Sequence, residues 1–341
     1  MEGCIIPEDL IINEILMWLP VKSLLRFRSV CKAWCSEIFS RHFKELRGQR
    51  SQPNIYRLSG FRKDSSFMKI ERLTEEGSLQ QYCMLPWLED LGLVISSHHL
   101  IVVSFKYGYL LSNPAMRDSI YVPSPSWGEP EGHPVGFGFV SSLGKYKMVG
   151  IILDPKDTCE VFTVGIDRSW RKGIAPPRSL IISDHMPYIN GNLHMLSEDL
   201  VNEDEAVLVF DLEDESWSVM ALPDVPDIVE MSCELREMQG FLCYSCCICL
   251  ERIDIWMLRD YTNNVWSKDL VIDGNPGMSN KRWSVDGFPL EVLADGRIFV
   301  GTDYEWFYYD PRDGSIQKAD CKGSNLFTTV YSENLVPVLG F

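Results

Sequence analysis

No stretch of this 341-residue chain approaches the roughly 18–20 uninterrupted apolar residues that a membrane-spanning helix needs. Its start, MEGCIIPEDL, lacks the basic and then apolar regions of a secretory signal. No Asn-x-Ser/Thr acceptor occurs anywhere. Positive charge is short, at 32 Lys/Arg against 48 Asp/Glu. Residues 1–47 carry seven basic and six acidic side chains, so the whole excess of 17 negative charges lies beyond them. A face that neutralised phosphates would need the opposite sign, so neither nucleic acid nor a membrane is expected as a partner.

Catalytic patterns are missing as well. The six histidines form no HExxH and no nucleophile signature, and Gly136-x-Gly138 lacks the third glycine of a nucleotide loop. The segment CYSCCIC (Cys243, Cys246, Cys247, Cys249) has thiols at zinc-like spacing but no second pair to match. Buried strand cysteines are therefore expected, with no metal and no cofactor. Eleven cysteines without a signal peptide point to a reducing compartment, cytoplasmic or nuclear.

What the chain does have divides in two. Hydrophobic residues make up 45% of it, enough to exclude disorder over most of its length, and 341 residues favour one large or two unequal domains. Near the start, Pro7 suits a first helical position, Glu8 and Asp9 favour the positive end of the helix, and Pro20 stops it. VKSLLRFRSV and CKAWCSEIFSRHF fit two further short helices. Ile11, Ile12, Met17 and Trp18 leave the first helix apolar nearly all round, so it expects a partner surface, foreign or within the chain.

IPEDLIINEILMWLPVKSLLRFRSVCKAWCSEIFSRHF closely resembles the plant F-box, through Pro-Glu-Asp-Leu, Leu-Pro-Val-Lys-Ser-Leu-Leu-Arg-Phe and Val-Cys-Lys-x-Trp. Ile6 and Cys35 are mild departures, where the family favours Leu and Arg. The resemblance implies docking on a Skp-type adaptor and, through it, on a cullin. By match to the motif, Pro7, Leu10, Ile15, Leu16, Leu19, Leu24, Val30, Cys31 and Trp34 would carry that interface or hold the three helices together. Truncating Leu16 or Trp34 to Ala is expected to cost roughly 2 kcal/mol of binding.

Beyond Ser51 the pattern is all-β, with runs such as HLIVVSF, AVLVFDL and WFYYDP separated by turn signals. Polar turns recur from Asn113, Gly165, Asp211, Asp260 and Asp310, and Trp170, Trp217 and Trp266 keep nearly the same phase. A unit of about 50 residues is the blade length of a β-propeller, and six blades fit the chain. The C-terminal LFTTVYSENLVPVLGF would add a strand to the first blade and close the ring.

Asn113-Pro114-Ala115-x-Arg117, Gly136-Phe-Gly138-Phe139, Asn190-Gly191-x-Leu193-His194, Phe210-Asp211-Leu212 and Tyr309-Asp310-Pro311 are similar, in this order, to the F-box-associated domain of plant F-box proteins. SSHHLIVVSFKYG departs from the usual Ser-Cys-Asn-Gly start of its blade. The expected organisation is a small all-α F-box of three helices over residues 1–47, a linker over 48–56 and an all-β, six-bladed propeller over 57–341. The expected role is the non-catalytic substrate adaptor of a Skp-cullin-F-box ubiquitin ligase, holding an unknown protein target through loop residues such as Trp87, Trp127, Trp283 and Trp306. The acidic run Glu198–Glu215 would steer a basic target if it is more than a solvated loop. The rival expectation is a propeller hydrolase or oxidase, which needs carboxylates, histidines or metal ligands converging from several blades.

Overall fold

Four of the five polar turns marked by the repeat are built alike. In each, the last residue of one strand accepts backbone hydrogen bonds through its side-chain oxygen. Asn113 accepts from the Ala115 and Met116 N–H, Asp211 from Glu213 and Asp214, Asp260 from Asn263 and Asp310 from Arg312. Four residues after each acceptor the chain turns left-handed, at Arg117, Glu215, Asn264 and Gly314, with φ between 53° and 69°. This Asx-type turn joins the third and fourth strands of a four-stranded antiparallel sheet.

The computed structural model describes residues 10–59, 67–74, 78–92, 94–97, 99–128, 133–152, 158–181, 185–199, 204–225, 231–248, 252–273, 288–293, 295–301, 306–319 and 327–340. The strand that matches the others in the third blade ends at Thr163, so Thr163 and not Gly165 is the equivalent position there. The strand ends at 113, 163, 211, 260 and 310 then repeat every 48–50 residues.

Among the described residues six sheets, four of four strands and two of five, form the propeller. The first contains Asn54–Ser59, Phe67–Leu73 and Leu79–Pro86, with Phe327–Tyr331 paired to Asn54–Ser59 as its innermost strand. The C-terminal strand thus closes the ring in the way the repeat predicts. In the fourth blade the inner strand is broken. Ser179–Leu180 and Tyr188–Ile189 both pair with Asn192–Asp199, while His185–Met186 runs parallel to Val135–Val140 of the third blade.

The propeller core is a set of interfaces between neighbouring sheets. Six apolar clusters, one for each adjacent pair including the sixth with the first, complete the circle. The repeating tryptophans pin these interfaces. Trp170, Trp217 and Trp266 each donate an indole N–H to a carbonyl at the end of the preceding blade, at Pro123 (2.7 Å), Ile174 (2.7 Å) and Ala221 (3.2 Å). Their spacing is therefore blade geometry.

The N-terminal segment carries the expected three helices, with bounds that differ from those the sequence suggests. Ile11–Ile15 forms a wide π-type turn and Leu16–Trp18 a tight 3-10 turn. Three α-helices follow, α1 (Val21–Phe27), α2 (Lys32–Ile38) and α3 (Arg41–Arg50). CKAWCSEIFSRHF is not one helix, because Ser40 accepts the Phe43 N–H through its hydroxyl (3.0 Å) and so starts a new one. Among the described residues no helix is long and apolar enough to cross a membrane.

Candidate functional site

The helical segment buries one of its faces. Leu16, Met17, Val21, Leu24, Ile38 and Phe43 form a core that includes Leu335 from the C-terminal tail of the propeller. The buried Arg47 guanidinium ties α3 to the tight turn Leu16–Trp18 by donating to the Met17 carbonyl (2.9 Å). Desolvation lowers its pKa, which the nearby Glu333 carboxylate partly offsets. Ser51 donates to the Glu333 carbonyl (2.8 Å), and Gly48 lies against the His99 ring.

A polar network holds the tail that receives this face. Asn113 donates to Asn334 Oδ1 and the Val336 carbonyl (both 2.8 Å), accepts from the Tyr331 hydroxyl (2.7 Å), and is itself fully buried. Asn334 donates onward to the His99 carbonyl (2.6 Å). His99 lies between the first and second strands of the second blade, and Ala115 between its third and fourth. In an antiparallel sheet both turns lie at the same end, so the helices sit on that face of the propeller.

The other face of the segment is bare. Leu10 is 51% exposed, Ile15 45%, Val30 59% and Trp18 66%. These four large apolar side chains come from the first turns and the α1–α2 connection. Cys31 is exposed beside Val30, and its sulfur accepts the Trp34 N–H at the start of α2. Trp34 and Leu19 are half-buried, with the Trp34 ring 5.8 Å from that of Phe27. The Arg50 guanidinium lies 5.4 Å from the Trp18 ring.

The nine motif residues thus fall into distinct environments. Leu10, Ile15, Val30 and Cys31 face solvent, Leu19 and Trp34 line the edge, and Leu16 and Leu24 are wholly inside. Pro7 lies outside the described residues. Trp18, the most exposed of the apolar group, is absent from the nine. Its signal was present in the sequence, since a helix apolar on every side must leave one side uncovered.

Trp87, Trp127 and Trp306 sit toward the opposite face, in or beside the loops that join second to third strands and blade to blade. Trp87 packs in the interface of the first two blades. Trp127 stands edge-on to His133 and tilted against Trp170, directly over Gly150, where a methyl group would meet the ring at 2.6 Å. Trp306 is 3% exposed in the interface that closes the ring. Trp283, like Glu203 of the acidic run, lies outside the described residues.

Titratable groups inside the propeller are mostly structural. His194 is fully buried and pushed down to about 4, chiefly by desolvation, so its imidazole is neutral. It bridges the Pro187 carbonyl (3.1 Å) and the Tyr261 hydroxyl (2.7 Å) of the next blade. Glu215 is held down to about 2, first by its paired hydrogen bonds with Arg171 and then by Lys147. Glu291 is pushed up to about 8 by burial and by the Glu237 carboxylate of the adjacent blade. A propeller enzyme would invoke such an acid pair. No His/Cys/Asp/Glu group of three or more among the described residues is arranged to hold a metal ion.

Comparison with known proteins matches the helical region and the propeller separately. Residues 5–46 match the F-box domain, and residues 65–336 match the F-box associated beta propeller domain. F-box protein At5g49610 of Arabidopsis thaliana is 26% identical over an alignment covering 91% of this chain and 90% of that protein. F-box protein At4g19940 of the same plant is 24% identical, with 98% and 89% covered. Among solved structures, apo AztD from Citrobacter koseri aligns at 10% identity and a TM-score of 0.40, covering 83% of this chain and 98% of that one. AofleA from Arthrobotrys oligospora aligns at 12% and 0.42, covering 82% and 93%.

Proposed function

This chain belongs to the plant F-box proteins that carry an F-box-associated β-propeller, and from that premise we propose that it is the substrate-recognition subunit of a Skp-cullin-F-box ubiquitin ligase. The observation that carries the reading is the bare apolar face of the F-box. Helices that served only as a cap on their own propeller would have no reason to leave Leu10, Ile15, Trp18 and Val30 in water. The buried face anchors the module to the chain, and the bare face receives a Skp-type adaptor in a groove. Cullin is reached only through that adaptor.

The protein performs no chemistry on this reading. It raises the local concentration of a bound target near the ubiquitin-charged enzyme. The target is a protein, held on the propeller face away from the helices, where Trp87 and Trp127 lie. There the exposed Tyr107 hairpin stands beside Glu89 and Asp90, linked by the Lys106–Asp90 ion pair (3.4 Å). The complex would work in the cytoplasm or nucleus.

Affinity purification with the proteasome blocked tests the reading. The full chain is expected to recover a Skp-type adaptor and cullin, and removal of residues 1–50 to lose both while any target remains bound. Recovery of adaptor by the truncated chain, or by neither form, contradicts it.

A further inference from the structure

The inner hairpin of the fifth blade brings two thiols together. Strands Met231–Met238 and Phe241–Ile248 pair antiparallel, with Cys233 directly opposite Cys246. Residues opposed in this way have Cα atoms about 4.5–5.5 Å apart, within the range a disulfide spans. The two sulfurs are 2.7 Å apart, and both cysteines are free thiols. The pair is asymmetric, since Cys246 is wholly buried while Cys233 is half-buried and can meet a solvent-borne oxidant. Tyr244 lies two residues from Cys246 on the same face of that strand.

We propose that Cys233 and Cys246 are a redox modification site that hydrogen peroxide closes to a disulfide. Cys233 is the attacking thiolate. The hydrogen bond from Cys246 lowers its pKa against the opposing effect of burial, and the same bond raises that of Cys246. Its sulfur takes one peroxide oxygen, the O–O bond breaks, and hydroxide leaves and gains a proton as the first water. Cys233 is then a sulfenic acid. Cys246 gives up its proton and attacks that sulfur, and hydroxide departs with a proton as the second water. Two thiols lose two electrons and one peroxide gains them. Cys83, Cys159 and Cys243 are different, since each is buried with a residue other than cysteine, Ile70, Ile151 and Arg236, opposite it on the neighbouring strand.

The test is mass mapping of the full chain after a brief pulse of hydrogen peroxide, digested without reductant. The expected result is a peptide joining Cys233 to Cys246, lighter by about 2 Da than its separate halves and released by dithiothreitol. The melting temperature should rise by a few degrees on oxidation, because the bridge closes a loop in the unfolded chain. In Cys246→Ser the attacking sulfur should stop at the sulfenic acid, captured by dimedone at Cys233. Over-oxidation of Cys233 without a cross-link, a cross-link to any other cysteine, or an unreacted pair in the wild-type chain overturns the proposal.

Discussion

Trp18 separates docking from folding more cleanly than any other residue of the F-box. Its side chain is 66% exposed and lies outside the buried cluster that holds the helices to Leu335. A tryptophan buries up to about 250 Å². Docking therefore has roughly 160 Å² left to cover, worth about 4 kcal/mol at 25 cal/mol per Å². Arg50 already shields part of one ring face, and ordering the side chains at an interface costs more. A net loss of about 2 kcal/mol is expected for Trp18→Ala, roughly a 30-fold rise in Kd for a Skp-type adaptor. Titration calorimetry with the purified adaptor measures it. The melting temperature should stay within about 1 °C, since no buried group is disturbed. Leu24→Ala is the contrasting variant, because that side chain is fully buried. It should lower stability by about 2–5 kcal/mol and affect the adaptor only through unfolding. A folded Trp18→Ala protein that binds within twofold of wild type refutes the assignment of this face.

Three further outcomes follow from the propeller. Asn113→Ala removes an acceptor for Tyr331 and two turn N–H groups and a donor to Asn334, so unfolding in urea should show a loss of about 2–3 kcal/mol. His194 is neutral in the folded protein with its pKa near 4, while the unfolded chain takes up a proton near 6.5. Its contribution to stability is therefore complete above pH 6.5 and falls by about 3 kcal/mol as pH drops to 4. Glu215 adds its own loss only as pH falls from about 4.5 toward 2, so His194→Gln should flatten the urea-midpoint slope between pH 6.5 and 4.5. Leu335→Ser should loosen the helices from the propeller, read as faster proteolysis in the 51–53 connection with the propeller fragment left intact.

Much of this fold is legible in the residues because the repeat is made by chemistry that leaves a mark. An Asx side chain that caps a turn and a left-handed residue four positions later recur in four of the six blades, at Asn113, Asp211, Asp260 and Asp310. The third blade escaped because Thr163 has no such side chain. There the order reverses, and the Asp167 carboxylate accepts the Thr163 N–H (2.6 Å). The broken inner strand of the fourth blade is equally silent, since two-residue strands have no periodicity to read.

The F-box shows the opposite limit. Its motif is plain in sequence, yet adjacent apolar residues divide between two roles that pattern alone does not separate. Leu16 and Met17 turn inward where a wide turn gives way to a tight one, and Ile15 and Trp18 flank them in water. Leu16 is thus a core residue whose truncation should be read first in stability. The tryptophans of the propeller teach the same point. Trp170, Trp217 and Trp266 keep phase because each pins a blade to the one before it. Trp306 is enclosed by the ring closure.

Hydrogen exchange of the full chain, with and without a saturating Skp-type adaptor, addresses the two-faced F-box most directly. Backbone amides of Leu10–Leu19 and Val30–Trp34 should slow by ten-fold or more (about 1.4 kcal/mol or above) on adding the adaptor, while those of the six blades keep their rates. Unchanged exchange over both helical stretches, or protection confined to the propeller, would contradict it.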